Sequence, residues 1–310
     1  MTLETDLLLD RRRLKRRLLF WRVATVLAVL AVIAVAAGRT RGVSVLGAHV
    51  ARLTVTGIIT EDLRLTAAID RLAGDDSVKA LVVVIDSPGG AVSGGEAIHD
   101  AIARVAAKKP VVSVMGGTAA SAGYMIAVPA ARIFARNATL TGSIGVILET
   151  GEISGLLGKI GVTADDIVSG PLKDQPSFTK PLSPQGHAVL QALVMDLYEQ
   201  FVGMVASGRH MDLDKVRSLA DGRAYTGRQA LELGLVDAIG GEPDARAWLA
   251  AQRGVATSLP TTDVKAQTWA ERAFGNAVGG VSLAIVKSVL FQGLRLDGAW
   301  SVWQPSVTGE

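Results

Sequence analysis

Three short runs of β-branched and aliphatic residues, Val50–Ile59, Ala80–Ile85 and Val111–Met115, are separated by two stretches, Glu61–Leu72 and Ser93–Ala107, whose apolar residues recur at helical spacing. No other feature limits the architecture as much. Runs this apolar are buried strands, and helices between them supply the cover, so the pattern predicts an α/β domain over residues 49–255. Ser93 and Glu96 have the spacing of a capping box for the second helix. Further strands are predicted at Arg132–Ala135 and Ser143–Leu148, and helices at His187–Ser207, Leu213–Ala220 and Gly227–Leu233. With 49% hydrophobic and 20% charged residues among 310, the chain can bury a sizeable core and is not globally disordered.

The sequence ahead of this domain has a different character. Met1–Arg22 holds seven Lys/Arg against three Asp/Glu, although the whole chain carries only +3. A nucleic-acid binder keeps its basic patch on the folded domain, so nucleic acid is excluded as the partner. Arg11–Arg17 leads into the apolar run Val23–Ala37, and the stretch from Leu18 to Gly38, about 21 residues, reaches ~31 Å as a helix. This predicts a basic cytoplasmic segment 1–22, a transmembrane anchor at 23–38 (or from about Leu18), and a linker 39–48. Positive charge on the N-terminal side keeps that end inside, which places the domain on the extracytoplasmic side of the inner (cytoplasmic) membrane. A cleaved signal peptide competes, because Ala34-Val35-Ala36 resembles a cleavage site. At the other end, residues 256–310 include an apolar stretch, Val278–Leu290, interrupted by Lys287 and short for a second span; a surface helix or subunit contact fits it better.

Two glycine-rich segments follow directly on strands. Asp86-Ser87-Pro88-Gly89-Gly90 ends the second run, where proline stops the strand and the glycines let backbone N–H groups face outward as oxyanion donors. A plain strand-to-helix turn would look the same. Gly116-Gly117-Thr118-Ala119-Ala120-Ser121-Ala122-Gly123-Tyr124 follows the third, with a helix predicted from about Ser121 to Val128. Its small residues leave room for a polypeptide, and Ser121 would present a hydroxyl beside the Ala122 N–H. A tightly packed helix start is the alternative. Ala119 stands where a G-x-S-x-G elbow has glycine, so this is not that signature.

A nucleophilic serine needs a base. The four histidines, His49, His99, His187 and His210, have no convincing acidic partner at a strand end, and no metal-ligand spacing occurs, so neither metal nor cofactor is expected. Cysteine is absent, which excludes thiol nucleophiles and disulfides. Lysine remains as the base. It serves only when a dry site and an acceptor keep its amine neutral, and lowering its pKa from ~10.4 to ~7.5 costs roughly 4 kcal/mol. Lys173, on a turn after an expected strand, is the candidate, with a solvated loop lysine as the alternative. Ser177 and Lys180 match S-x-x-K without the partner motifs, which is a chance match.

In their order, DSPGG (Asp86–Gly90), GGTAASAGYMIA (Gly116–Ala127), TGSIGV (Thr141–Val146), SGPLKD (Ser169–Asp174) and ADGRAYTGRQALELGLVDAIGG (Ala220–Gly241) resemble the signal peptide peptidase A family, in its short, single-copy form. The resemblance implies a crotonase/Clp-protease-like fold of stacked sheets with helices. It also implies a Ser/Lys endopeptidase acting on residual signal peptides at the membrane, and a homo-oligomeric ring in which serine and lysine come from neighbouring subunits. By the same resemblance Ser121 is the nucleophile, Lys173 the base, Ser143 the hydroxyl that holds the lysine amine, and Gly90 (or Gly89) and Ala122 the oxyanion donors. Three other readings compete. One is a sister membrane protease of the stomatin-associated type, expected to carry further C-terminal spans. A non-proteolytic crotonase-fold enzyme of acyl-CoA thioesters would explain the oxyanion turn but not the serine–lysine set. The third is a catalytically inactive scaffold.

Overall fold

A computed structural model describes residues 20–27 and 47–265. Residues 20–27 form a helix, α1. The rest of the expected anchor, the linker up to residue 46 and the C-terminal stretch with Val278–Leu290 lie outside the described residues.

From residue 49 on, eight strands share one hydrogen-bonded sheet in the order β6-β5-β3-β2-β1-β8, with β4 and β7 branching from β3. They are β1 (His49–Ile59), β2 (Val78–Gly90), β3 (Val111–Ala120), β4 (Arg132–Ala135), β5 (Leu140–Gly142), β6 (Ala224–Thr226), β7 (Ala238–Ile239) and β8 (Thr261–Asp263). The helices are α2 (Leu63–Leu72), α3 (Val92–Ala106), α4 (Ala122–Met125), α5 (Ser154–Lys159), α6 (Pro184–Arg209), α7 (Leu213–Leu219), α8 (Gly227–Glu232) and α9 (Glu242–Arg253). The result is a mixed α/β sheet covered by helices. Strand β2 explains why. Leu81, Val83 and Ile85 point to one face, where they pack with Ile98 and Ile102 of α3. Ala80 and Val82 point to the other, against Ala245 and Leu249 of α9. A strand apolar on both faces belongs in the middle of a parallel sheet, and β2 pairs in parallel with both β1 and β3.

This one sheet forks at β3. Val112–Val114 pair with β4, whereas Thr118–Ala120 pair with β5. Between the two branches the β2–β3 register jumps from Ile85↔Met115 to Ser87↔Ala119. The extra length bulges β3 and lets its upper part take a different neighbour.

Several local expectations are corrected. The capping box on Ser93 and Glu96 is absent: α3 starts at Val92, and its N-cap, Ala91, makes no side-chain bond. Ala91 still belongs to the ladder, donating its N–H to Ile59 O at 2.9 Å, so the helix springs straight from the strand without a polar cap. The strand expected at Ser143–Leu148 lies earlier, at Leu140–Gly142, because Ser143 adopts φ 48° and breaks the extended chain. The strand expected directly before Lys173 is absent: residues 163–168 form neither helix nor strand, and Ile167 is fully exposed. At the C-terminal side, β8 pairs with Val50–Arg52 of β1.

Among the described residues, one helix is long and apolar enough to cross a membrane: α6, which the sequence marks as amphipathic and not as the span. Its last third is held by the core through Phe201, Val202, Val205 and Ala206, while Val189, Leu193 and Met195 of its first half are exposed.

Candidate active site

Ser121 sits where β3 ends and α4 begins, with φ 54° and ψ −122°. This is a backbone conformation that favours glycine, and a residue with a side chain holds it at a strain of about 1–3 kcal/mol. Its surroundings fix it there. The Ser121 N–H donates to Gly142 O at 2.9 Å, and the Ser121 carbonyl accepts from the N–H groups of Tyr124 and Met125. Thr141 Oγ1 donates to Ala119 O at 2.8 Å. Tyr124 is fully buried, its hydroxyl donates to Leu235 O at 2.8 Å, and burial pushes its phenol well above the usual range. Ser121 itself is only half-buried. A strained, well-anchored backbone therefore carries a reachable hydroxyl. The helix behind it is shorter than the sequence suggests, a single turn over Ala122–Met125 instead of a run to Val128. What it offers the site is the N–H of Ala122, which, as the first helical residue, has no intrahelical acceptor.

The Asp86–Gly90 turn lies against this elbow. A Cβ added at Gly89 would stand 2.9 Å from Ser121 Cβ and 3.2 Å from the Ala122 nitrogen, so only glycine lets the two segments touch. Gly123 is pressed equally closely on Ser87, where an added Cβ would stand 2.8 Å from the Ser87 carbonyl oxygen. The ladder separates the two candidate donors of the turn. Gly89 N–H is engaged by Ser87 Oγ at 3.1 Å. Gly90 is registered on Ile59, and the bond to Ile59 O comes from Ala91. In a parallel ladder the residues flanking a registered one bond to it, so Gly90's own N–H faces away from β1. Pairing with β3 has already ended at Ser87.

Ser143 directly follows Gly142, the residue that accepts the Ser121 N–H. Its N–H donates to Arg223 O at 2.9 Å, and it is half-buried. Ser121, Ser143 and His210 are the non-glycine residues with positive φ among the described residues. Two of the three thus stand together at this site, as expected where strain serves function.

Lys173 is placed differently. It lies on a turn over residues 171–174 and is exposed. Its N–H donates to Gly170 O at 3.1 Å, and its amine pairs with no described residue, Ser121 and Ser143 included. Among the described residues, none supplies the dry setting that a lysine base needs. The neighbouring Lys180 is engaged, its amine 3.3 Å from both Asp166 and Asp174, while Ser177 Oγ bonds within its own turn to Thr179. Of the expected site residues, the fold brings together Ser121, Ala122, Gly89, Gly90 and Ser143 and leaves Lys173 on a separate excursion. Sequence reading missed the polar supports, Thr141 and Tyr124. Thr141 stands in a quoted motif, but a threonine's bond to a carbonyl leaves no sequence signal.

The family model described as peptidase family S49 matches residues 103–256. A candidate protease of Synechocystis sp. is 45% identical over 208 residues, covering 66% of this chain and 75% of that protein. A candidate signal peptide peptidase of Enterococcus faecium is 43% identical over 180 residues, 57% of this chain but only 52% of that protein. Among solved structures, a ClpP1 variant of Listeria monocytogenes aligns over 62% of this chain and 92% of its own with a TM-score of 0.43 and 18% identity, a likeness too low to build on.

Proposed function

The chain belongs to peptidase family S49, a family of serine proteases, and from that premise we propose that it is a membrane-anchored endopeptidase that cleaves signal-peptide remnants with a Ser121/Lys173 dyad. One observation carries the reading: the strained backbone of a half-buried Ser121 packs directly against Gly89, which sets the serine beside the Gly89–Gly90 turn and the start of α4.

In this reading an extended peptide lies beside the Gly90 turn as an added strand. Ser121 Oγ attacks the scissile carbonyl while the Lys173 amine takes its proton. The oxyanion accepts from Gly90 N–H and Ala122 N–H, with Gly89 N–H already spent on Ser87. The lysine ammonium then protonates the leaving amine, and a water activated by the same amine releases the acyl group from Ser121. Ser143 holds the amine through its hydroxyl. Because Lys173 is exposed in the single chain, its dry environment is supplied by a neighbouring copy, and the working site forms between subunits of a homo-oligomeric ring. The stacked-sheet crotonase/Clp arrangement, the N-terminal anchor and the extracytoplasmic position of the domain belong to the same proposal. The name of the Enterococcus relative supports the substrate class.

The test is covalent labelling of the full chain with a fluorophosphonate in membranes, followed by peptide mapping. Label on Ser121 in the wild type, and none in Lys173→Arg, supports the dyad, since guanidinium stays charged in a protein. Equal labelling of Lys173→Arg removes it.

A further inference from the structure

Between Ile85↔Met115 and Ser87↔Ala119 a single residue of β2, Asp86, faces three residues of β3: Gly116, Gly117 and Thr118. Ladder bonds fail at such a bulge, and the backbone groups left over need other partners. The Asp86 side chain supplies one. Its Oδ1 accepts the Thr118 N–H at 3.0 Å. The two glycines make room for it: a Cβ at Gly116 would stand 3.2 Å from Asp86 Cβ and Cγ, and one at Gly117 would stand 3.5 Å from Oδ1. The far side of the bulge is pinned separately, where Thr139 Oγ1 donates to Gly116 O at 2.7 Å.

The place of this bond in the chain gives it a consequence. Asp86 comes three residues before Gly89 and Thr118 three residues before Ser121. The carboxylate therefore ties together the bases of the two limbs that end in the turn N–H groups and in the nucleophile with its Ala122 N–H. Beyond the tie, one registered pair, Ser87↔Ala119, joins the limbs before they reach the site. We infer that Asp86 is a positioning residue of the peptidase, which sets the spacing between the Gly90 and Ala122 N–H groups through the Asp86–Thr118 bond.

The inference rests on the proposed peptidase reading and predicts a specific kinetic pattern. Donors set slightly apart still admit the planar substrate carbonyl but hold the tetrahedral oxyanion poorly, so the loss falls on kcat. Asp86→Ala should lower kcat by about ten- to a hundredfold with KM within about twofold. Asp86→Asn keeps an acceptor oxygen in the same place and should retain most of the activity. Binding of a peptide aldehyde, whose adduct is tetrahedral, should weaken in Asp86→Ala in parallel with kcat.

The experiment measures kcat and KM of the full chain in membranes, per site titrated with fluorophosphonate, for wild type and both variants, together with aldehyde inhibition. The parallel loss in Asp86→Ala and its rescue in Asp86→Asn are the expected result. Two outcomes overturn the inference: an unchanged kcat per titrated site in Asp86→Ala, which makes the bond purely structural, or an Asn variant as impaired as Ala, which makes charge and not geometry the cause. Failure of the underlying reading looks different, because the wild type itself would then neither label at Ser121 nor cleave peptide.

Discussion

The two halves of the proposed site differ in what holds them. The nucleophile half, Asp86–Gly90 with Gly116–Met125 and Leu140–Ile144, is built by the chain's own core. Ala119, Ala122, Tyr124, Met125 and Ile144 are buried, and the Ser121 N–H is bonded across to Gly142 O at 2.9 Å. The base half, from Ile147 to Ser183, is held mainly by itself. Ile153 N–H donates to Phe178 O at 2.8 Å, Lys180 joins Asp166 and Asp174, and Gln175 Oε1 accepts the Ser183 N–H at 3.0 Å where α6 begins. It turns apolar side chains outward: Ile147 is 78% exposed, Phe178 71% and Ile160 64%. Apolar side chains left uncovered in this way are the mark of an interaction surface. In the proposed ring that surface meets another subunit, and the contrast becomes a division of labour: each chain prepares a nucleophile and lends a base.

The sharpest way to break this contrast is to remove each catalytic group and compare activity with stability. Ser121→Gly and Lys173→Ala should both lose activity, the first by at least about 10⁴-fold. Their stabilities should part. Glycine relieves the strain at φ 54° and should raise stability by about 1 kcal/mol, whereas Lys173→Ala, at an exposed turn, should change it by under about 0.5 kcal/mol. Paired thermal unfolding and peptide assays check this; a Lys173→Ala protein destabilised by several kcal/mol would mean that the lysine is already packed within its own chain.

A smaller effect probes the nucleophile half alone. A Cβ at Gly90 would collide with the carbonyl of Ile59, so Gly90→Ala must push β1 from β2. Loss of about 2–3 kcal/mol in urea unfolding, with activity falling at the same time, is the expected result. An active, fully stable Gly90→Ala would mean that the turn yields easily and is not the rigid element described.

The smallest effect lies in the base half. Removing Lys180 severs two surface ion pairs and should change stability little, yet it loosens the turn that carries Lys173. Lys180→Met should therefore lower kcat a few-fold with nearly unchanged unfolding. A large stability loss instead would place this excursion in the core's cooperative unit.

How much of this was legible in the sequence follows the same division. Strands β1 to β4 were readable because their apolar runs are continuous, as in Leu81–Ile85. Ser121, Ala122 and the Gly89–Gly90 turn were readable because glycine and small residues mark the points where backbone meets backbone. The short pairings β6, β7 and β8 were not, since two or three residues leave no periodicity and their partners are distant in sequence. The helix α9 was missed because Ala and Arg dominate it and only Ala245 and Leu249 are buried. Ser143 falls in the strand expected over Ser143–Leu148, but its positive φ, which leaves no periodic signal, ends the extended chain there. The setting of Lys173 could not be read at all. Its sequence neighbours say only that it lies on a turn, and what dries the amine is, on the proposed reading, another molecule.

That last point is the central claim, and subunit mixing tests it most directly. Full-length Ser121→Ala and Lys173→Ala proteins, each inactive, are combined in detergent, allowed to exchange subunits, reconstituted into membranes and assayed for peptide cleavage. If the base comes from a neighbour, random mixing leaves about a quarter of the junctions with an intact serine facing an intact lysine, and activity should return to about a quarter of the wild-type value. If a fully exchanged mixture stays as inactive as its parents, each chain carries its own dyad and the shared site is wrong.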